Sequence, residues 1–316
     1  MNEHRKIILK SGLCPGDILM MTAAIRDLHK SCPNQFITDV RTLYPDIWLN
    51  NPYISSLQDS DGEMIEFRCD LIHKCNSAPY HYIHAYAQFL ESVLNVKIPL
   101  TEFRGDIHLS AEEKEMVPQV EGKFWIIVAG GKYDFSSKWW NPYYYQEVVD
   151  HFKGKITFVQ VGQLGDFHPK LKNVIDLIGK TDTRQFLRLV YHSTGIICPV
   201  TYAMHAAAAV PFKTNSRGCV VIAGAREPVQ WEMYPNHRYL STNGYLSCSK
   251  VSDSNLGGCW CSRCQRVGDK DEKDRVNVCK NPVLVNSRLC IPKCMDMIKP
   301  KDVIREIERY YEGDLF

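Results

Sequence analysis

The chain has 316 residues, 45% hydrophobic and 23% charged, which is the composition of a folded protein of one or two domains. A net charge of +2 argues against an extended electrostatic footprint for DNA or RNA. No apolar run is long enough to span a bilayer, and "MNEHRKIILKSG" enters a strand too early for a signal peptide, so a cytoplasmic location is expected.

In chain order, the first strand is "KIIL", followed by a turn with Gly12, Pro15 and Gly16 and a helix from Asp17 to about His29. Strand-like pieces follow at "FITDV" and "DLIHK", then a helix near "YIHAYAQFLESVLN". The stretch "KIPLTEFRGDIHLSAEEKEMVPQVEG" has weak periodicity and reads as a connection between domains, with the boundary near residue 118. Beyond it, "KFWIIVAGG" is a buried strand ending in glycines. "NPYYYQEVVDHF" is a helix with Asn141 as N-cap and Pro142 at its first position. The strand "KITFVQVG", the helix "DTRQFLRLVYHS" capped by Asp182, the strand "GIICPV", the helix "YAMHAAAAV" and the strand "GCVVIAGA" complete this block. Alternation at this spacing implies parallel βαβ units with right-handed crossovers. The expected fold is α/β, with two Rossmann-like domains (1–118 and 119–247) facing a cleft, a cysteine-rich insertion (248–298) and a closing helix (299–316).

Neither nucleotide fingerprint is intact. Gly12 and Gly16 are followed by no Lys-Ser/Thr, and no G-x-G-x-x-G follows a strand. Open α/β sheets nevertheless bind ligands beyond the carboxyl ends of their strands. Four turns qualify: "SGLCPGD", "AGGKYDFSSKWW", "VGQLGDFHP" and "CPVTYAMH". Asp17 has two readings, a helix N-cap or a general base kept ionised by the helix N-terminus, with Gly16 admitting substrate close to the backbone. Lys138 is either a surface lysine or, with the Ser136 and Ser137 hydroxyls, a group that neutralises a diphosphate. His205, one turn into an alanine-rich helix, is either packed and hydrogen-bonded or in reach of a phosphate or sugar hydroxyl.

The segments "GDILMMTAAIRDLHKSCPNQFITDV", "NNPYI", "SSKWWNPYYYQEVVDHF", "DLIGKTDTRQFLRLVYHSTGII" and "MHAAAAV…VVIAGAREP", in this order over residues 6–235, resemble glycosyltransferase family 9, the ADP-heptose lipopolysaccharide heptosyltransferases. The resemblance implies a GT-B fold and an inverting transfer from a nucleotide sugar without a catalytic metal. The first domain then takes the acceptor and the second the donor. It makes Asp17 the base and Lys138 the phosphate-binding lysine. It places His205, with Thr201 and Met204, near the donor sugar and diphosphate, and Gly162, Gln163 and Asp166 near the nucleoside. The chain departs from the family at Val200, Thr201 and Tyr202, where Asp-Thr-Gly is usual. The resemblance assigns the missing acid to donor-sugar hydroxyls, so this departure bears on which sugar is carried.

Thirteen cysteines in a chain without an export signal point to thiols or metal rather than disulfides. Six of them (Cys259, Cys261, Cys264, Cys279, Cys290 and Cys294) fall within 36 residues. Paired thiolates flanking a polar loop fit a tetrahedral clip holding structural zinc or iron, with unligated thiols as the alternative. This cluster resembles the iron motif of bacterial autotransporter heptosyltransferases, which implies a protein acceptor beside a glycan one, and a homo-oligomer. A non-catalytic nucleotide-sugar or glycan-binding protein with a metal clip is the competing reading of the whole chain.

Overall fold

The computed structural model describes residues 4–68, 79–116, 119–213, 216–226, 228–246, 279 and 281–313. The chain divides into two compact units, Met1–Val117 with Ala208–Pro211, and Pro118–Ala207 with Phe212–Phe316.

In the first unit β1 (Arg5–Ser11), β2 (Phe36–Thr42) and β3 (Glu63–Phe67) form a parallel sheet in the order β2-β1-β3. Ile7, Ile8 and Leu9 are fully buried because β1 is central and covered on both faces. The helix α1 spans Pro15–Ser31 and is buried without a break from Ile18 to Leu28, including Arg26 and Asp27. Those two charges are tolerated inside because they satisfy each other. The Arg26 guanidinium donates to Asp27 from Nε at 2.9 Å and from Nη2 at 3.0 Å, and also to the carbonyls of Glu102 and Arg104. The Thr101 hydroxyl donates to Asp27 at 2.6 Å, so the 101–104 segment is clamped to α1. The helix α2 (Ile83–Leu94) packs on α1. A short helix α3 (Ala111–Glu115) interrupts the expected connection, opened by a Ser110–Glu113 capping box.

The "DLIHK" strand expected from sequence lies outside the described residues. The strand beside β1 is "EMIEF", with only Ile65 and Phe67 buried, so its glutamates hide it from a search for apolar runs. The start of α1 also differs from expectation. It begins two residues earlier, since Pro15 lacks the N–H that a first helical residue would leave unused.

The second unit holds β4 (Phe124–Ile127), α4 (Pro142–His151), β5 (Thr157–Gln160), β6 (Ile175–Asp176), α5 (Thr183–His192), β7 (Gly195–Pro199), α6 (Tyr202–Ala209, whose last two residues group with the first unit), β8 (Gly218–Gly224) and β9 (Arg238–Ser241). The six strands are parallel in the order β6-β5-β4-β7-β8-β9. Asn141 caps α4 by accepting from the Tyr143 N–H, and Asp182 caps α5 in a box with Gln185, both as the sequence predicts. The hairpin β10 (Pro282–Asn286) and β11 (Leu289–Pro292) leads through α7 (Lys293–Asp296) to α8 (Pro300–Tyr311), which packs against α4 and β8.

Strand order reverses in both sheets, at β1 in the first and at β4 in the second, where β5 lies on one side and β7 on the other. Such reversals open a crevice at the carboxyl ends of the strands.

The second core is organised by Trp125, which is paired in register with Gly195, itself paired with Gly218. The indole lies over both glycines and donates to the Tyr311 hydroxyl at 2.9 Å. A methyl group at position 195 would stand 2.5 Å from that ring. Gly195→Ala is therefore expected to lose about 1–3 kcal/mol of unfolding free energy, read from a lowered urea midpoint.

Candidate active site

Asp17 follows the reversal point of the first sheet. The N-cap of α1 is Cys14, so Asp17 is the third helical residue and not the cap, which corrects the first reading of this residue. Its half-buried carboxylate lies in the first turn, where unpaired amides and the helix dipole favour negative charge. The Tyr86 hydroxyl donates to Asp17 Oδ1 at 3.4 Å, and Tyr86 is itself buried beside Phe67.

In the second unit, a 3-10 turn over Tyr133–Lys138 follows β4. Lys138 Nζ donates to the Val200 carbonyl at 3.2 Å, so the chain segments leaving β4 and β7 are bridged at the reversal point of the sheet. Lys138, Val200, Ile222, Ala223, Arg226 and Tyr239 line a small recess there. The Lys138 ammonium stands 5.6 Å and the Arg226 guanidinium 5.9 Å from the Phe135 ring centre. Ser136 and Ser137 are buried, and Ser137 Oγ has no hydrogen-bond partner among the described residues.

Thr201 opens α6 by accepting from the Ala203 N–H at 3.3 Å, and Met204 is fully buried. His205 is 5% exposed, with Nδ1 at 2.9 Å from the Tyr234 hydroxyl and the two rings edge to face. Burial, with Glu232 adding to it, pushes the Tyr234 hydroxyl well above its ordinary pKa, so it keeps its proton. Of the two readings of His205, the packed, hydrogen-bonded one describes this geometry. Gly162, Gln163 and Asp166 lie in the loop after β5, where Gly162 abuts the His168 ring, Gln163 is exposed and Asp166 half-buried. That loop is tied to the one after β4 by paired backbone bonds between Gly131 and Phe167 and by stacking of Trp139 on Phe167 at 4.2 Å.

Phe135, Arg226, Tyr234 and Tyr239 escape the sequence reading. A signal existed for Arg226 alone, which follows directly on the strand "VVIAGA" at its carboxyl end. Of the clustered cysteines, Cys259, Cys261 and Cys264 lie outside the described residues. Among the described residues no three His, Cys, Asp or Glu side chains are grouped to hold a metal, so Cys279, Cys290 and Cys294 do not form such a set by themselves.

No protein-family model matches the chain, and no curated protein matches it by sequence. Solved structures do. The chain superposes on the E. coli ADP-heptose lipopolysaccharide heptosyltransferase II over 98% of its own length and 100% of that protein's, at 15% identity and a TM-score of 0.61. This chain has a heptosyltransferase-like fold. A family 9 glycosyltransferase from Veillonella parvula aligns at 13% identity and a TM-score of 0.58, over 84% of this chain and 95% of that one. The iron-containing dodecameric glycosyltransferase TibC of enterotoxigenic E. coli aligns at 14% identity and a TM-score of 0.63, over 99% of this chain and 77% of that one. In that heptosyltransferase-like frame, Asp17 and the Lys138–Val200 bridge both follow strands at which the order reverses. Among the described residues, no helix is long and apolar enough to cross a membrane.

Proposed function

We propose that the chain is a glycosyltransferase moving a sugar from a nucleoside-diphosphate donor to an acceptor hydroxyl by a single inverting displacement. The acceptor oxygen attacks the anomeric carbon while its proton passes to the Asp17 carboxylate. The bond from that carbon to the diphosphate oxygen breaks with its electron pair leaving on the diphosphate, whose charge Lys138 meets. The observation that carries this reading is the Lys138 ammonium fixed at the β4–β7 reversal point of a heptosyltransferase-like fold. TibC has been solved with ADP-D-β-D-heptose, which makes ADP-heptose and related nucleotide sugars the first donors to test. A glycan or a protein hydroxyl would serve as acceptor.

A panel of ADP-, GDP- and UDP-linked sugars read by thermal shift tests donor binding. A true donor at 100 times its dissociation constant stabilises the native state by about 2.7 kcal/mol. If no member of the panel raises Tm, the donor reading is wrong. The non-catalytic alternative is favoured by Val200 and Tyr202, since the Val200 side chain is buried and Tyr202 leans on Phe186 at 5.5 Å, leaving no carboxylate there for sugar hydroxyls. Release of nucleoside diphosphate from a bound donor, by hydrolysis or transfer, separates the two readings.

A further inference from the structure

Tyr133 has no place in the chemistry above, yet it follows the carboxyl end of β4 at the head of the turn that carries Lys138. It is 58% exposed. A lone apolar side chain in water is ordinary and implies nothing. This one differs in being held. Two residues before it, Gly131 exchanges backbone bonds with Phe167 at 2.9 and 3.1 Å. Gly130 and Gly131 have φ of +97° and +145°, and a Cβ on Gly130 would run into the Phe167 carbonyl, so the chain reaches Tyr133 through a crossing that needs glycine. The Tyr133 ring then meets Trp139 at 5.5 Å and Phe167 at 6.3 Å, both edge to face, while those two rings stack on each other at 4.2 Å. With more than half of the residue in water, these contacts leave ring surface uncovered. An aromatic ring already fixed by its neighbours loses little freedom when a flat ligand settles on it. Of the parts of a nucleotide sugar, the base alone is flat and aromatic. Only a ribose separates it from the diphosphate assigned to Lys138, five residues along the same turn.

We propose that the exposed ring of Tyr133 is the stacking platform for the base of the donor nucleotide. This rests on the donor reading above. Stacking uses the π-face that every base has, so the platform adds affinity and leaves the choice among bases to other groups. The probes are ADP, GDP and UDP, titrated calorimetrically into the full chain. For the one that binds tightest, Tyr133→Ala is expected to weaken binding about 5- to 150-fold, the span for loss of one base–aromatic stack. Tyr133→Phe keeps the face and should stay within about twofold of wild type. Tyr133→Leu keeps apolar bulk beside Trp139 without the face, and should weaken binding as the alanine variant does. The side chain is mostly exposed, so all three variants should fold with an unchanged far-ultraviolet spectrum. Wild-type affinity in the alanine or leucine variant, or a phenylalanine variant as weak as alanine, overturns the platform and leaves the donor reading standing. Failure of all three nucleotides to bind the wild type overturns both.

Discussion

Asp17→Asn is expected to reduce turnover about 10²- to 10⁴-fold, the range for loss of a general base, while donor affinity stays within about threefold of wild type. Asparagine has nearly the same volume and its amide oxygen still accepts from the Tyr86 hydroxyl, so the contact seen at 3.4 Å survives the change. What disappears is the ability to take a proton from an acceptor hydroxyl. Structural loss should be small, about 0.3–1 kcal/mol, because the carboxylate in the first turn of α1 interacts favourably with the helix dipole. Donor binding by calorimetry and single-turnover rates with saturating acceptor measure the two halves separately. A variant that keeps its donor and turns over within about threefold of wild type removes Asp17 from the chemistry.

The sequence reading succeeded where the physics is short-range. Asn141 and Asp182 cap their helices through bonds to residues two and three positions on, so side-chain type and spacing suffice to find them. The buried strands β4, β7 and β8 were visible as apolar runs bounded by glycine. Failures came where a residue's role depends on strand order. Lys138 and Val200 are 62 positions apart and meet only because β4 and β7 are neighbours. His205 finds Tyr234 29 positions downstream, and nothing near His205 in sequence announces that partner. The place of Arg226 at the carboxyl end of an apolar strand was readable, but the Phe135 ring it shares with Lys138 was not, since spacing does not announce it. The cysteine cluster was easy to notice and says nothing of geometry by itself, since its first three members fall outside the described residues.

Lys138→Gln is expected to lower kcat about 100-fold, corresponding to about 3 kcal/mol of lost stabilisation of charge that develops on the departing diphosphate. The ground-state donor already carries charge on its diphosphate, so part of the ammonium's effect is spent equally before and during the reaction. That part raises KM, and only the increment as the bond breaks lowers kcat. Glutamine removes the charge and keeps an N–H donor, though one atom shorter in reach than the ammonium now 3.2 Å from the Val200 carbonyl. Lys138→Met removes both, and the difference between the two variants measures the bridge. Arginine is not a conservative substitute, because its planar fork is longer and stiffer beside Phe135 than the ammonium held there at 5.6 Å. A surface lysine would behave otherwise: glutamine would change kcat less than about twofold, since surface charges act weakly through water. Rates measured with two donors that differ only in the acidity of the released nucleotide sharpen the contrast. If Lys138 meets leaving-group charge, the variant suffers less with the better leaving group, and equal losses with both would place the lysine outside the bond-breaking step.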